Sequence, residues 1–176
     1  MSRAVLISIR PKWCELIANG EKTIEVRKTR PKLETPFKCY IYCTKLHPGD
    51  TGSMINLKGK TSFFMPKGET VIGEFVCDSI FPLSVYASDA SFFDTWPPLP
   101  VPGTCLSDKE IAEYLGNGKT GYGWHISNLV FYDVPKKMSE FRRHDPTYDF
   151  SVFGEVCRTY AIQRPPQSWF YVEELP

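Results

Sequence analysis

The chain has 176 residues, of which 42% are hydrophobic and 14% aromatic, enough to build a core and contrary to the composition of a disordered chain. No apolar run approaches the roughly 18 residues of a membrane-spanning helix, so the expectation is a single cytoplasmic domain over residues 1–176 with no membrane partner. The net charge of +1 hides an asymmetry, because residues 1–45 carry +6 and residues 46–176 carry −5. A basic N-terminal third on an acidic body is a pattern that anionic ligands exploit.

Val5–Ile9 is a β-rich run, too short for a secretory signal, that stops at Arg10-Pro11. A helix fits Pro11 to Asn19: Pro11 suits the first helical position, Trp13, Leu16 and Ile17 recur at helical spacing, and Gly20 supplies the stop. Residues 22–28 then switch to period two, with Ile24 and Val26 on one face and Thr23, Glu25 and Arg27 on the other. Further strands are expected at 37–44, 71–81, 121–132 and 169–172. Between them, residues 45–69 read as an irregular loop or hairpin. Residues 87–105, with Phe92, Phe93 and Trp96 ahead of four prolines, read as an aromatic loop. Ser107-Asp108-Lys109-Glu110 is a capping box that opens a second helix ending at Gly116. Strands outnumber helices and are mostly hairpin-like, which predicts an antiparallel or mixed barrel with a few packed helices.

Four of the six cysteines, Cys14, Cys39, Cys43 and Cys77, fall in apolar periodic segments, as reduced core cysteines do. Cys39 and Cys43 have the shortest spacing, but four residues along a strand separate them by about 13 Å, so no metal site and no cofactor is expected. Gly59-Lys60-Thr61 and Gly118-Lys119-Thr120 echo the end of a phosphate-binding loop. Met54 and Glu113 stand where that loop needs its first glycine, so nucleotide triphosphate hydrolysis is not supported.

The sharpest constellation is Gly20-Glu21-Lys22-Thr23-Ile24-Glu25-Val26-Arg27. A carboxylate flanked by two cations is held ionised and in place, and such a group can orient a phosphate or carbonyl while one member handles a proton. The alternative is a salt-bridge ladder on a solvated sheet. Arg10-Pro11-Lys12-Trp13 and Arg164-Pro165-Pro166-Gln167-Ser168-Trp169 share an Arg-Pro…Trp shape at opposite ends of the chain. First and last strands meet when a barrel closes, so both can frame one cleft mouth, offering phosphate contacts and a stacking platform. The helical spacing of Trp13 also fits a core position. His125 is a candidate base or a structural strand histidine, and Ser127 and Asn128 are candidates for reading a base edge.

Gly20, Lys22, Glu25 and Arg27 match the G-x-K-x-x-E-x-R signature of ASCH domains, within the PUA-like superfamily. Ile72–Phe75, Gly121–Ile126, Tyr132–Lys136 and Arg164–Trp169 also resemble segments of longer bacterial and phage-borne members. The resemblance implies an α+β fold, a PUA-like mixed β-barrel of about six strands with packed helices. It also implies a basic cleft over the signature strand that binds RNA or a modified nucleoside. Ligand-binding candidates are Arg10, Lys12, Thr23, Arg27, Trp124, His125, Ser127, Asn128, Arg164 and Trp169. Some short relatives are amidohydrolases acting on N4-acetylcytidine, and another is a ribonuclease. A small hydrolase with Lys22 as base and Glu25 as its partner is therefore an alternative. In this chain Glu25 occupies the position of the amidohydrolases' threonine. A third reading is a protein-interaction adaptor using the loop at 92–102.

Overall fold

In the computed structural model, residues 2–45, 54–55, 63–64, 70–84, 101–116, 119–144 and 159–176 are described. Strand β1 (Arg3–Ile9) is buried on both faces from Ala4 onward, as its unbroken apolar run requires. Helix α1 (Pro11–Ala18) follows, with proline at its start and Cys14 and Ile17 turned inward. Gly20 then adopts φ 75° and turns the chain into β2 (Ile24–Arg27). Strand β3 (Phe37–Cys43) returns beside β1 in parallel register, Val5 opposite Cys39 and Ile9 opposite Cys43. A two-residue pair, β4 (Met54–Ile55) and β5 (Phe63–Phe64), stands apart from the main sheet. The long strands β6 (Thr70–Ser84) and β7 (Thr120–Lys136) flank α2 (Asp108–Leu115), whose capping box is formed as expected. A short 3-10 turn (Met138–Glu140) leads to β8 (Arg142–His144), which pairs with β9 (Thr159–Ala161) before β10 (Trp169–Glu173).

The six-stranded mixed sheet has the order β10-β1-β3-β6-β7-β2. In a flat sheet its two edges would lie about 24 Å apart. Here they approach one another. The indole Nε1 of Trp169 on β10 donates to Thr29 Oγ1 just beyond β2 at 3.1 Å, and the ring of Trp169 packs edge-on against Trp124 of β7 at 5.8 Å. The Lys32 amide donates to the Tyr171 hydroxyl at 2.7 Å. The curl wraps one core, made by alternate residues of β1, β3, β6 and β7 together with Cys14 and Ile17 of α1. The intervening residues Ala4, Leu6, Tyr40 and Tyr42 meet Phe141, Ile162 and Val172 on the outer side. The expected barrel is corrected in one respect: the described residues form no backbone ladder between β2 and β10. Four residues of β2 leave little ladder to offer, and the seam is filled by side chains instead.

Irregularity in the β6–β7 hairpin also has a local cause. Val76 faces Ser127 whereas Glu74 faces Val130, so β7 carries an extra residue there, and Asn128 absorbs it at φ 48°. The four buried cysteines expected in the core are there as free thiols, and burial pushes the thiols of Cys14, Cys39 and Cys77 up. Of the loops expected at 45–69 and 87–105, most residues lie outside the described ones, including Phe92, Phe93 and Trp96. The described end of the second loop has a defined role. Val101-Pro102-Gly103-Thr104 makes a turn with Gly103 at φ 83°, and Gly103 O accepts from the amides of Thr23 and Ile24 at 2.9 and 3.0 Å.

A Cβ on Gly103 would stand 2.2 Å from Thr23 Oγ1. Gly103→Ala is therefore expected to destabilise the protein by more than about 1 kcal/mol, read as a lower urea midpoint with unchanged slope. An unchanged midpoint would show that the turn does not hold β2.

Candidate functional site

Strand periodicity gives β2 two different faces, and both are covered. Ile24 and Val26 pack with Leu83, Val101 and the α2 residues Ile111 and Leu115. Glu25 and Arg27 point the other way, yet they are only 6% and 7% exposed, and Lys22 is 2% exposed. Three charged side chains at that depth are stable only with partners. Lys22 Nζ donates to Thr104 O at 2.7 Å and to Ile24 O at 2.8 Å, with Glu25 Oε2 at 3.5 Å. Arg27 Nη2 lies 2.8 Å from Glu25 Oε1 and donates to Ser8 O at 2.7 Å, while Nη1 reaches Ser168 Oγ at 3.3 Å. Glu25 thus bridges the two cations, and backbone carbonyls from β1 and the 101–104 turn complete their shells. Glu25 Oε2 has the Lys22 ion pair but no hydrogen bond, and Arg27 Nε has no hydrogen-bond partner among the described residues; both atoms are closed off from solvent.

This cluster is the floor of a cleft of ≈ 660 Å³. Trp13 of α1 forms one wall, with Lys22 Nζ 5.2 Å from its ring centre. Leu106, Glu110, Glu113 and Tyr114, from α2 and the segment before it, form a second wall. Gln167 and Ser168 form a third, held to β1 by Ser8 Oγ donating to Pro166 O at 2.6 Å and Ser8 N to Ser168 O at 2.9 Å. Burial pushes the Tyr114 phenol up, with the nearby Arg27 guanidinium pulling the other way. The Ser107 amide and hydroxyl, donating to its carboxylate, hold Glu110 below the usual carboxylate range. Arg10, Lys22 and Arg27 are balanced by Glu25, Glu110 and Glu113 in the lining. The lining is therefore mixed in charge and not basic, which corrects the expectation drawn from the N-terminal charge excess.

Residues 7–76, which hold this cluster's Lys22, Glu25 and Arg27, match the ASCH domain family. Over that stretch the chain resembles an ASCH domain. Its fold is that of the crystal structure of ASCH from Zymomonas mobilis, at 16% identity and a TM-score of 0.59, covering 97% of this chain and 88% of that one. A tyrosine-to-phenylalanine variant of the Zymomonas mobilis protein aligns at 15% identity and a TM-score of 0.56, covering 97% and 91% of the two chains. A serine-to-alanine variant aligns at the same identity and TM-score, covering 97% and 89%. No curated protein matches this chain in sequence.

Glu25 and Arg27 share a face as the alternation requires, Lys22 joins them from the turn before β2, and Arg10 lies at the same cleft. Thr23 does not, because its hydroxyl faces the Gly103 turn. Lys12 lies over the outer face of Trp13, 4.6 Å from the ring centre. Trp124 is fully buried in the core with its Nε1 unpartnered, so it has no face for stacking. His125 pairs with Asp78 at 2.7 Å away from the cleft, and Ser127 Oγ donates to Val76 O. Asn128 serves the β-bulge. Arg164 is exposed outside the cleft lining, and Trp169 seals the seam. Sequence reasoning missed Ser8, Thr104, Tyr114 and Ser168. Pro102-Gly103 marked the turn that presents Thr104, and the capping box fixed the helical face carrying Tyr114, but nothing in the sequence joined either to Lys22. No helix among the described residues is long and apolar enough to cross a membrane, and these residues contain no group of three metal-ligating side chains.

Glu25→Gln keeps the shape of the side chain while leaving two buried cations without a carboxylate, and is expected to cost about 3 kcal/mol in urea unfolding. His125→Ala, at a pair with both side chains more than 40% exposed, is expected to cost less than about 1 kcal/mol. Although partial burial opposes it, the hydrogen bond with His125 holds Asp78 below the usual carboxylate range. Its contribution is therefore present above the ordinary carboxylate pKa and is lost as pH falls through the depressed value. Equal losses in the two variants would contradict the ranking.

Proposed function

We propose that the cleft binds a nucleoside-like ligand, free or presented by an unpaired position of an RNA strand. The observation that carries this reading is a cleft that sets the aromatic side chains of Trp13 and Tyr114 beside both hydrogen-bond donors and acceptors, among them Arg10, Glu110 and Gln167. A nucleobase has a flat face for stacking and an edge carrying both N–H donors and acceptors, so it can answer the aromatic and the polar groups of such a lining at once. The volume of ≈ 660 Å³ falls within the range of small-molecule sites and suits one nucleoside better than a length of duplex. The match of residues 7–76 to the ASCH domain family adds that family's association with RNA and nucleosides. The hydrolase reading ranks second, because Lys22 Nζ already donates to two backbone carbonyls and is poorly placed to accept a proton.

The test is a titration of the labelled protein with cytidine, uridine, adenosine and a short single-stranded RNA, followed by amide chemical shifts. The expected result is saturable shifts at residues 8–13, 25–27, 106–114 and 167–168, weakened by about fivefold or more in Trp13→Leu on loss of the stacking face. Shifts confined to other surfaces, or none with any of the four probes, would end the reading. Incubation of the same sample with N4-acetylcytidine separates the two readings: turnover lost in Lys22→Met, with the fold retained, would promote the hydrolase.

A further inference from the structure

The two cations that would meet a phosphate at the floor of the cleft are already engaged by the protein. Lys22 Nζ is held by Thr104 O, Ile24 O and Glu25, and Arg27 by Glu25, Ser8 O and Ser168. A phosphate entering there would have to break charge-assisted hydrogen bonds inside a nearly water-free floor, which is costly. Glu25, more than nine-tenths buried between the two cations, also keeps negative charge at that floor. An uncharged ligand is indifferent to that charge, whereas a phosphate is repelled by it. The α2 wall adds to this polarity. Glu110 is fixed in position by the Ser107 amide and hydroxyl, each 2.8 Å from Oε2, and those bonds favour its ionised form. Glu113 stands one turn further along the same wall.

We propose that α2 makes this cleft selective for an uncharged nucleoside, with Glu110 and Glu113 as the specificity-determining residues that turn away the 5′-phosphorylated form. This rests on the nucleoside reading and narrows it: the cleft takes a free nucleoside in preference to a nucleotide or a phosphate-lined strand. Arg10 is the remaining cation of the lining, against the two carboxylates of α2; Lys109, 3.9 Å from Glu113, and Lys12, near Glu110, lie outside it. Like-charge juxtaposition is an effective means of rejection, because it penalises the wrong ligand without adding a contact to the right one.

Glu110→Gln separates specificity from folding, because glutamine at the same helical position still completes the capping box. Cytidine, adenosine and their 5′-monophosphates are titrated at low ionic strength against the unaltered protein, Glu110→Gln and Glu110→Gln/Glu113→Gln, with thermal melts of all three. The unaltered protein is expected to prefer each nucleoside over its monophosphate by about tenfold or more. The single variant should narrow that gap and the double variant close most of it, because monophosphate affinity rises relative to nucleoside affinity. The selectivity should also shrink at high salt. Equal affinity for nucleoside and monophosphate in the unaltered protein would overturn the inference while leaving the nucleoside reading intact. A preference that survives unchanged in the double variant would overturn the assignment to α2. Failure of all four probes to bind would remove the nucleoside reading itself, and the inference with it.

Discussion

Glu25 bridges two buried cations, and most of what distinguishes this fold converges on that carboxylate. Taking one ionised side chain out of water costs several kcal/mol, so three together persist only where each finds compensating partners. Those partners come from far along the chain. Ser8 O lies on β1, Thr104 O on the turn before α2, and Ser168 Oγ just before β10. The ionic cluster therefore works as a tie between segments that backbone ladders leave apart. It fastens β2, at one edge of the sheet, to β1 and the start of β10 at the other.

That tie explains why the sheet curls without closing. Tryptophan, arginine and tyrosine side chains span the seam between β2 and β10, where a barrel would have a ladder. A seam made of side chains leaves space above it, and the cleft occupies that space. The electrostatics follow from the same arrangement. Because Lys22 and Arg27 serve the fold, their charge is already answered, and the cleft presents a balanced lining and not a positive funnel. A signature rich in cations thus need not create an anion site; burial and internal pairing decide which it becomes.

Much of the architecture was legible from local rules. The Pro11 start, the Gly20 stop and the Ser107-to-Glu110 capping box place both helices within a residue or so, because each depends on neighbours in sequence. The period-two alternation in β2 correctly separates Glu25 and Arg27 from Ile24 and Val26. It could not say that the charged face would be as enclosed as the apolar one, because the covering groups come from residues 8, 104, 114 and 168. Trp124 and Trp169 show the same limit: strand aromatics read alike whether they line a cleft or fill a core, and the curl of the sheet brings these two, on strands that do not pair, into contact. The net charge of the N-terminal third was a poor guide to the cleft for a related reason. The carboxylates that neutralise it sit on α2, about 90 residues downstream of Lys22.

The most direct test is a double-mutant cycle between Glu25 and Arg27, using Glu25→Gln, Arg27→Met and the double variant, with unfolding free energies from urea titration. A buried pair in direct contact should show a coupling of about 2–3 kcal/mol, with the double variant more stable than the sum of the single losses would allow. Losses that simply add, with a coupling below about 0.5 kcal/mol, would mean that the two side chains do not meet in the folded protein. The floor of the cleft would then be something other than the ionic cluster described.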